Sequence, residues 1–157
     1  MTVSTSNLIG VSLGYSDSSP AFGLGTVVNL DDGGQAIYVQ AASTVATYSA
    51  VSVLVNNTVV PLTTTNSAAS KAVGFAQVSI ASAYYGWVQL GGKPRVLVAA
   101  NCQPSVPLFT TATAGVLDDA TVTAGLIAGL VATTSTVTAS NVTCIAGYPH
   151  VLTGLNA

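Results

Sequence analysis

Catalysis needs titratable or nucleophilic side chains brought together, and this sequence offers few of them. Its acids are Asp17, Asp31, Asp32, Asp118 and Asp119; its bases are Lys71, Lys93 and Arg95; its one histidine is His150. A Ser–His–Asp triad would have to use His150, which stands beside Pro149 and reads instead as a tail residue on a surface or interface. The pairs Asp31-Asp32 and Asp118-Asp119 have the chemistry for glycoside hydrolysis or for holding Ca²⁺. Each stands in a turn context, beside Gly33-Gly34 or after Gly115, where Asp accepts hydrogen bonds from nearby backbone N–H groups, so both pairs read as turns. Cys102 and Cys144 make no metal-type pair and read as free thiols packed like small apolar residues, with a disulfide between them as the alternative. Gly23-Leu24-Gly25 and Gly91-Gly92 lack the Gly-Lys-Ser/Thr of a phosphate loop. The expectation is a protein that is not an enzyme, with no catalytic residue, no cofactor and no metal.

The charge content points the same way. Only 5% of the 157 residues are charged, against about a quarter in an ordinary soluble protein, while 50% are hydrophobic. A free monomer usually keeps a charged surface for solubility; a surface of Ser, Thr, Asn, Gln and Ala is suited to meeting other protein. With a net charge of −2 and Lys93-Pro94-Arg95 as the one basic cluster, no patch exists to neutralise phosphates, so nucleic acid is not expected as a partner. No run of about 18 apolar residues suggests a membrane span. Residues 1–8 lack the basic and apolar regions of a secretory signal, which implies synthesis in a cytoplasm and retention there until release.

The elements that would position these side chains are short strands. The chain holds 23 Val and 20 Thr and no Glu. β-branched side chains suit pleated surfaces, and the usual exposed helix formers are missing. Apolar runs at 25–30 and 35–41 flank Asp31-Asp32-Gly33-Gly34, a hairpin signature. Runs at 51–55 and 58–60 flank Asn56-Asn57, and Pro61 confines the next segment to an edge or loop. Residues 84–90 lead through Gly91-Gly92 into 94–99, which predicts another hairpin. The stretch 124–132 reads as a strand rather than a helix because Gly125 and Gly129 each weaken a helix by about 1 kcal/mol. Residues 141–146 read as the last strand before a tail. No repeat of 20–50 residues is evident. The fold expected is all-β, an antiparallel β-sandwich or small β-barrel: an extended N-terminal arm over 1–24, then a single β-domain over 25–157.

Two stretches carry a resemblance. The first is Leu24-Gly25-Thr26, a strand, the Asp31-Asp32-Gly33 turn and Tyr38-Val39-Gln40-Ala41. The second is Tyr85-Gly86-Trp87-Val88-Gln89-Leu90-Gly91-Gly92, then the segments 96–100 and 107–111. Together they resemble the small all-β structural proteins of tailed bacteriophages, in particular the capsid cement or head-decoration proteins. The resemblance implies a viral structural protein on the capsid exterior of the virion, made in the host bacterial cytoplasm. Its partners would be the major capsid protein and further copies of itself, a homo-oligomer with a trimer favoured over a dimer, and it would stabilise the shell by bridging capsomers. Two other readings remain open: another virion component, such as a tail or head-fibre protein, or a carbohydrate-binding β-sandwich module. The candidate assembly residues are Leu8, Ile9, Leu13, Tyr15 and Phe22 in the arm and Tyr84, Tyr85 and Trp87 in the body. Trp87 is expected as a core or interface anchor.

Overall fold

The computed structural model describes residues 11–67, 72–121 and 125–152. Strands hold 49% of the described residues and helix 1%, so the all-β expectation holds, in its barrel form. Seven strands form the first sheet: β1 (Ser16–Asp17), β2 (Val27–Asn29), β3 (Gln35–Ala41), β4 (Ala50–Val53), β5 (Thr58–Pro61), β6 (Ala72–Ala76) and β7 (Tyr85–Gln89). Five of these close on themselves in the order β7–β6–β4–β5–β3 and back to β7. Only β3 and β5 run parallel within the ring. Strand alternation does the rest: Ile37, Val39, Val51, Val53, Val59, Ala76 and Val88 point inward and form one buried cluster.

The second sheet contains β8 (Gly91–Gly92), β9 (Arg95–Val98), β10 (Pro107–Thr110), β11 (Leu117–Asp118), β12 (Leu126–Ala132) and β13 (Ser140–Leu152). Its pairings also return to their start, β12–β10–β11–β9–β13 and back to β12. The two rings have one plan. In each, the first and third strands are parallel and every other pair is antiparallel. The registers correspond as well. Val53 faces Val59 as Thr110 faces Leu117; Ala76 faces Val88 as Ala132 faces Cys144. Tyr48 and Ser105, at matching points before β4 and β10, both have positive φ, 64° and 59°.

The chain is thus built as two like rings about 57 residues apart (Val53 to Thr110), a spacing longer than a 20–50-residue repeat. The inward positions match in burial rather than in residue type: Val45 with Cys102, Val51 with Leu108, Val88 with Cys144, all fully buried. The rings pack together. Ala50, Leu62, Val73 and Phe75 of the first share a buried cluster with Val96, Val98, Leu117 and Cys144 of the second. Leu97 N–H donates to the Tyr48 carbonyl at 2.9 Å, and the Arg95 guanidinium lies 5.5 Å from the centre of the Tyr48 ring.

Two local expectations are corrected. Residues 84–90 and 94–99 do not form a hairpin: β7 pairs with β6 and β3, whereas β9 pairs with β11 and β13. Both edges of β7 are occupied within the closed first ring, so none is left for β9. Gly91-Gly92 is the passage between rings, and Gly92 has φ +88°. Nor is the stretch after residue 146 a tail. β13 continues through Tyr148, Pro149 and His150, pairing Ala128 with His150 and Leu126 with Leu152. Pro149, which lacks an N–H, falls where the register shifts between Ala128 and Leu130, so no ladder bond is asked of it.

Candidate interface

The N-terminal segment lies on its own barrel. Val11 and Leu13 are buried against Ala36, Tyr38 and Trp87 on the outer face of β3 and β7 and against Val28 and Leu30 of the β2 region. β1 adds to that face, pairing Ser16 with Gly86 and Asp17 with Tyr85. Phe22 caps the cluster edge-on, its ring centre 5.3 Å from both Tyr38 and Trp87. Tyr38 and Trp87 are tilted at 5.0 Å, and Tyr38 stacks on Tyr85 at 6.4 Å. The Tyr38 hydroxyl accepts from Ala21 N–H at 3.0 Å, which holds the segment down.

Of the candidate residues, Leu13, Tyr15, Phe22, Tyr85 and Trp87 are therefore brought to one place. Leu8 and Ile9 lie outside the described residues. Trp87 is 3% exposed and Leu13 fully buried, whereas Tyr15 is 71% exposed. Tyr84, 39% exposed, stands in the turn before β7, where its carbonyl accepts from Ala41 N–H. Between the segment and the barrel lies a cleft of about 230 Å³ lined by Tyr15, Asp17, Phe22, Tyr38, Tyr85 and Trp87, among others.

The chemistry-bearing groups are spread apart. The sequence does spell one Gly-x-Ser-x-Gly, at residues 10–14 around Ser12. A nucleophile elbow needs a strand before and a helix after it. Here β1 comes next, and Ser12 Oγ accepts from Gly14 N–H at 3.2 Å in a local turn. His150 belongs to β13 of the second ring. Asp32 accepts from Gly34 N–H at 2.9 Å, as a turn Asp should, and also from the Gln89 side chain and from Lys93 N–H. Asp119 accepts from Gln103 N–H at 2.9 Å. Cys102 and Cys144 are free thiols buried in one cluster. Burial pushes the Cys144 thiol up to about 12, and Cys102 adds to this. Burial raises Cys102 too, with smaller contributions from the charges of Asp119 and Asp118. Neither is a ready nucleophile. Among the described residues no three His, Cys, Asp or Glu side chains are grouped to hold a metal ion, and no helix is long and apolar enough to cross a membrane.

One surface was missed by the sequence reading. On the outside of the second ring, Pro107, Leu126, Val131 and Ile145 contribute to an apolar groove of about 520 Å³. Its signal is faint but present: β12 reads Leu-Ile-Ala-Gly-Leu-Val-Ala, apolar at inward and outward positions alike. A strand with one wet face would alternate with polar residues. No protein-family model and no curated protein sequence matches the chain.

Proposed function

We propose that this chain is a structural virion protein, a cement or decoration protein that binds the outside of a phage capsid and stabilises it by bridging capsomers. The observation that supports the reading best is the character of the surface. Large apolar side chains are exposed along the chain, among them Tyr15, Val55, Val131, Val137, Ile145 and Tyr148, in a chain with eight formal charges. Such a surface is suited to contact with protein over a wide area rather than to steering a charged substrate. Two like rings in one chain suit the bridging of neighbouring shell subunits. Binding only the assembled shell would raise its stability by mass action.

Mixing the purified protein with shells that lack it tests this. Saturable co-sedimentation and a raised temperature of shell rupture support the proposal; no binding to intact shells at any protein excess removes it. The aromatic cleft favours one second reading, a carbohydrate-binding module, since Tyr15 offers an open ring beside Asp17 and Ser12. Glycan-array binding lost in Tyr15→Ala would favour that reading over the first.

A further inference from the structure

The two rings match strand for strand, so each outer face of one has a counterpart on the other. On the first barrel, the outer face of β4 and β6 presents Ala50 and Phe75, with Gln89 beside them on β7, and all three are fully buried. Ala50 and Phe75 lie under the second ring. The registers identify the counterparts. Ala50 pairs with Phe75 as Pro107 pairs with Val131, and Phe75 pairs with Gln89 as Val131 pairs with Ile145. These counterparts are still apolar, yet Val131 is 37% and Ile145 53% exposed. They border the groove of about 520 Å³, and no residue lining it is charged.

Two other outer faces differ from it. The β3–β7 face of the first barrel is covered by Val11 and Leu13 of the chain's own N-terminal segment, with Val28 and Leu30 of the β2 region packed beside them. Its counterpart on the second ring presents Arg95 and Thr143, both exposed, with Leu97 and Asn141 half-buried between them. The β10–β12 face is both apolar and open. Arrays of like units ordinarily end in a polar face for solubility, and this one does not.

We propose that this face, centred on Val131 and Ile145, is a self-association surface covered in solution by a second copy of this chain. The molecule itself contains the precedent: the equivalent face of its first barrel is buried by another ring of the same plan. A surface without charge can meet its own copy with no like-charge repulsion, as a two-fold interface requires. The inference stands apart from the virion reading and does not depend on it.

Light scattering during size-exclusion chromatography reads the mass directly. The intact chain should elute at a multiple of 15.6 kDa. Val131→Lys and Ile145→Lys should raise the dissociation constant by about thirtyfold or more, as expected for the centre of an interface. Val55→Lys, at an exposed site on the first barrel, should leave the mass unchanged. Circular dichroism checks that the variants fold. If they do not, Ile145→Cys under mild oxidation decides: disulfide-linked dimers support the proposal, and persistent monomer overturns it. A wild-type chain that stays monomeric at high concentration, or folded lysine variants that associate like wild type, also overturns it.

Discussion

Gln89 and Asp32 lie 57 residues apart, yet the Gln89 side-chain N–H₂ donates to Asp32 Oδ2 at 2.8 Å and also to the Gly91 carbonyl at 2.7 Å. The same carboxylate oxygen accepts from Lys93 N–H at 2.9 Å, and Oδ1 accepts from Gly34 N–H at 2.9 Å. One turn aspartate thus fastens the β2–β3 hairpin to the strand end and passage that lead into the second ring. A Cβ on Gly34 would collide with the Gly91 carbonyl, so the close approach requires glycine there.

Asp32→Ala should therefore do more than loosen a turn. Losing charge-assisted bonds to a half-buried carboxylate costs about 2 kcal/mol, which in a domain of this size lowers Tm by about 4–8 °C. Asp31→Ala, at the exposed neighbour, should stay within about 0.5 kcal/mol of wild type. Thermal unfolding of the two variants side by side checks this; equal effects would contradict the assigned role of Asp32.

The hairpin expected at Gly91-Gly92 and the passage found there show where the sequence was legible and where it was not. Local chemistry was readable: Asp31-Asp32-Gly33-Gly34 turns the chain between β2 and β3, with Gly33 at φ +84°, and Asn57 turns it between β4 and β5 at φ +61°. Strand character over 126–132 was readable as well. Pairing partners were not, because closure of a ring is a long-range event. Nothing in residues 84–99 records that β7 is already saturated by β3 and β6. The doubling of the ring was hidden because the two halves share a pattern of burial and not their residues. Phe22 and Trp87 stood out by type as candidate assembly residues, but their meeting at 5.3 Å depends on a segment that reads as an arm and folds back on its own barrel.

Trp87 is the one tryptophan, so its fluorescence reports that contact. Emission should be blue-shifted and poorly quenched by acrylamide in the wild type. Phe22→Ala should shift it to the red without unfolding the body. Trp87→Ala should cost about 3–5 kcal/mol, as for other large aromatics removed from a core. A wild-type emission maximum like that of free tryptophan would contradict the burial.

Alkaline pH should expose the buried thiols. The Cys144 thiol ionises at about 12 in the folded chain against an ordinary value of 9.0, so between those values the unfolded chain has lost a proton that the folded chain keeps. Fewer protons bound in the unfolded state means stability that falls as pH rises through this window. The contribution is fully present below pH 9 and lost on approach to 12. Denaturant titrations from about pH 8.5 to about 10.5, within that window, should show a shallower loss in Cys144→Ala than in wild type. Identical slopes would contradict it. Below the ordinary thiol range the native protein should resist thiol reagents that modify both cysteines once it is unfolded.

Truncation separates the two roles open to the N-terminal segment. Deleting residues 2–20 removes Val11 and Leu13 from the cluster around Tyr38 and Trp87. The shortened protein should melt lower even without a partner, and shell occupancy should fall with it. Unchanged melting would contradict the packing of the segment on its own barrel.

Cryo-electron microscopy of the native particle from the genome that encodes this chain tests the proposed role most directly. Ordered density is expected for two linked five-stranded rings on the outer surface of the capsid, repeated at equivalent positions and touching more than one capsomer. Density for the chain in the tail or fibres, or a mature shell with none on its exterior, would contradict it.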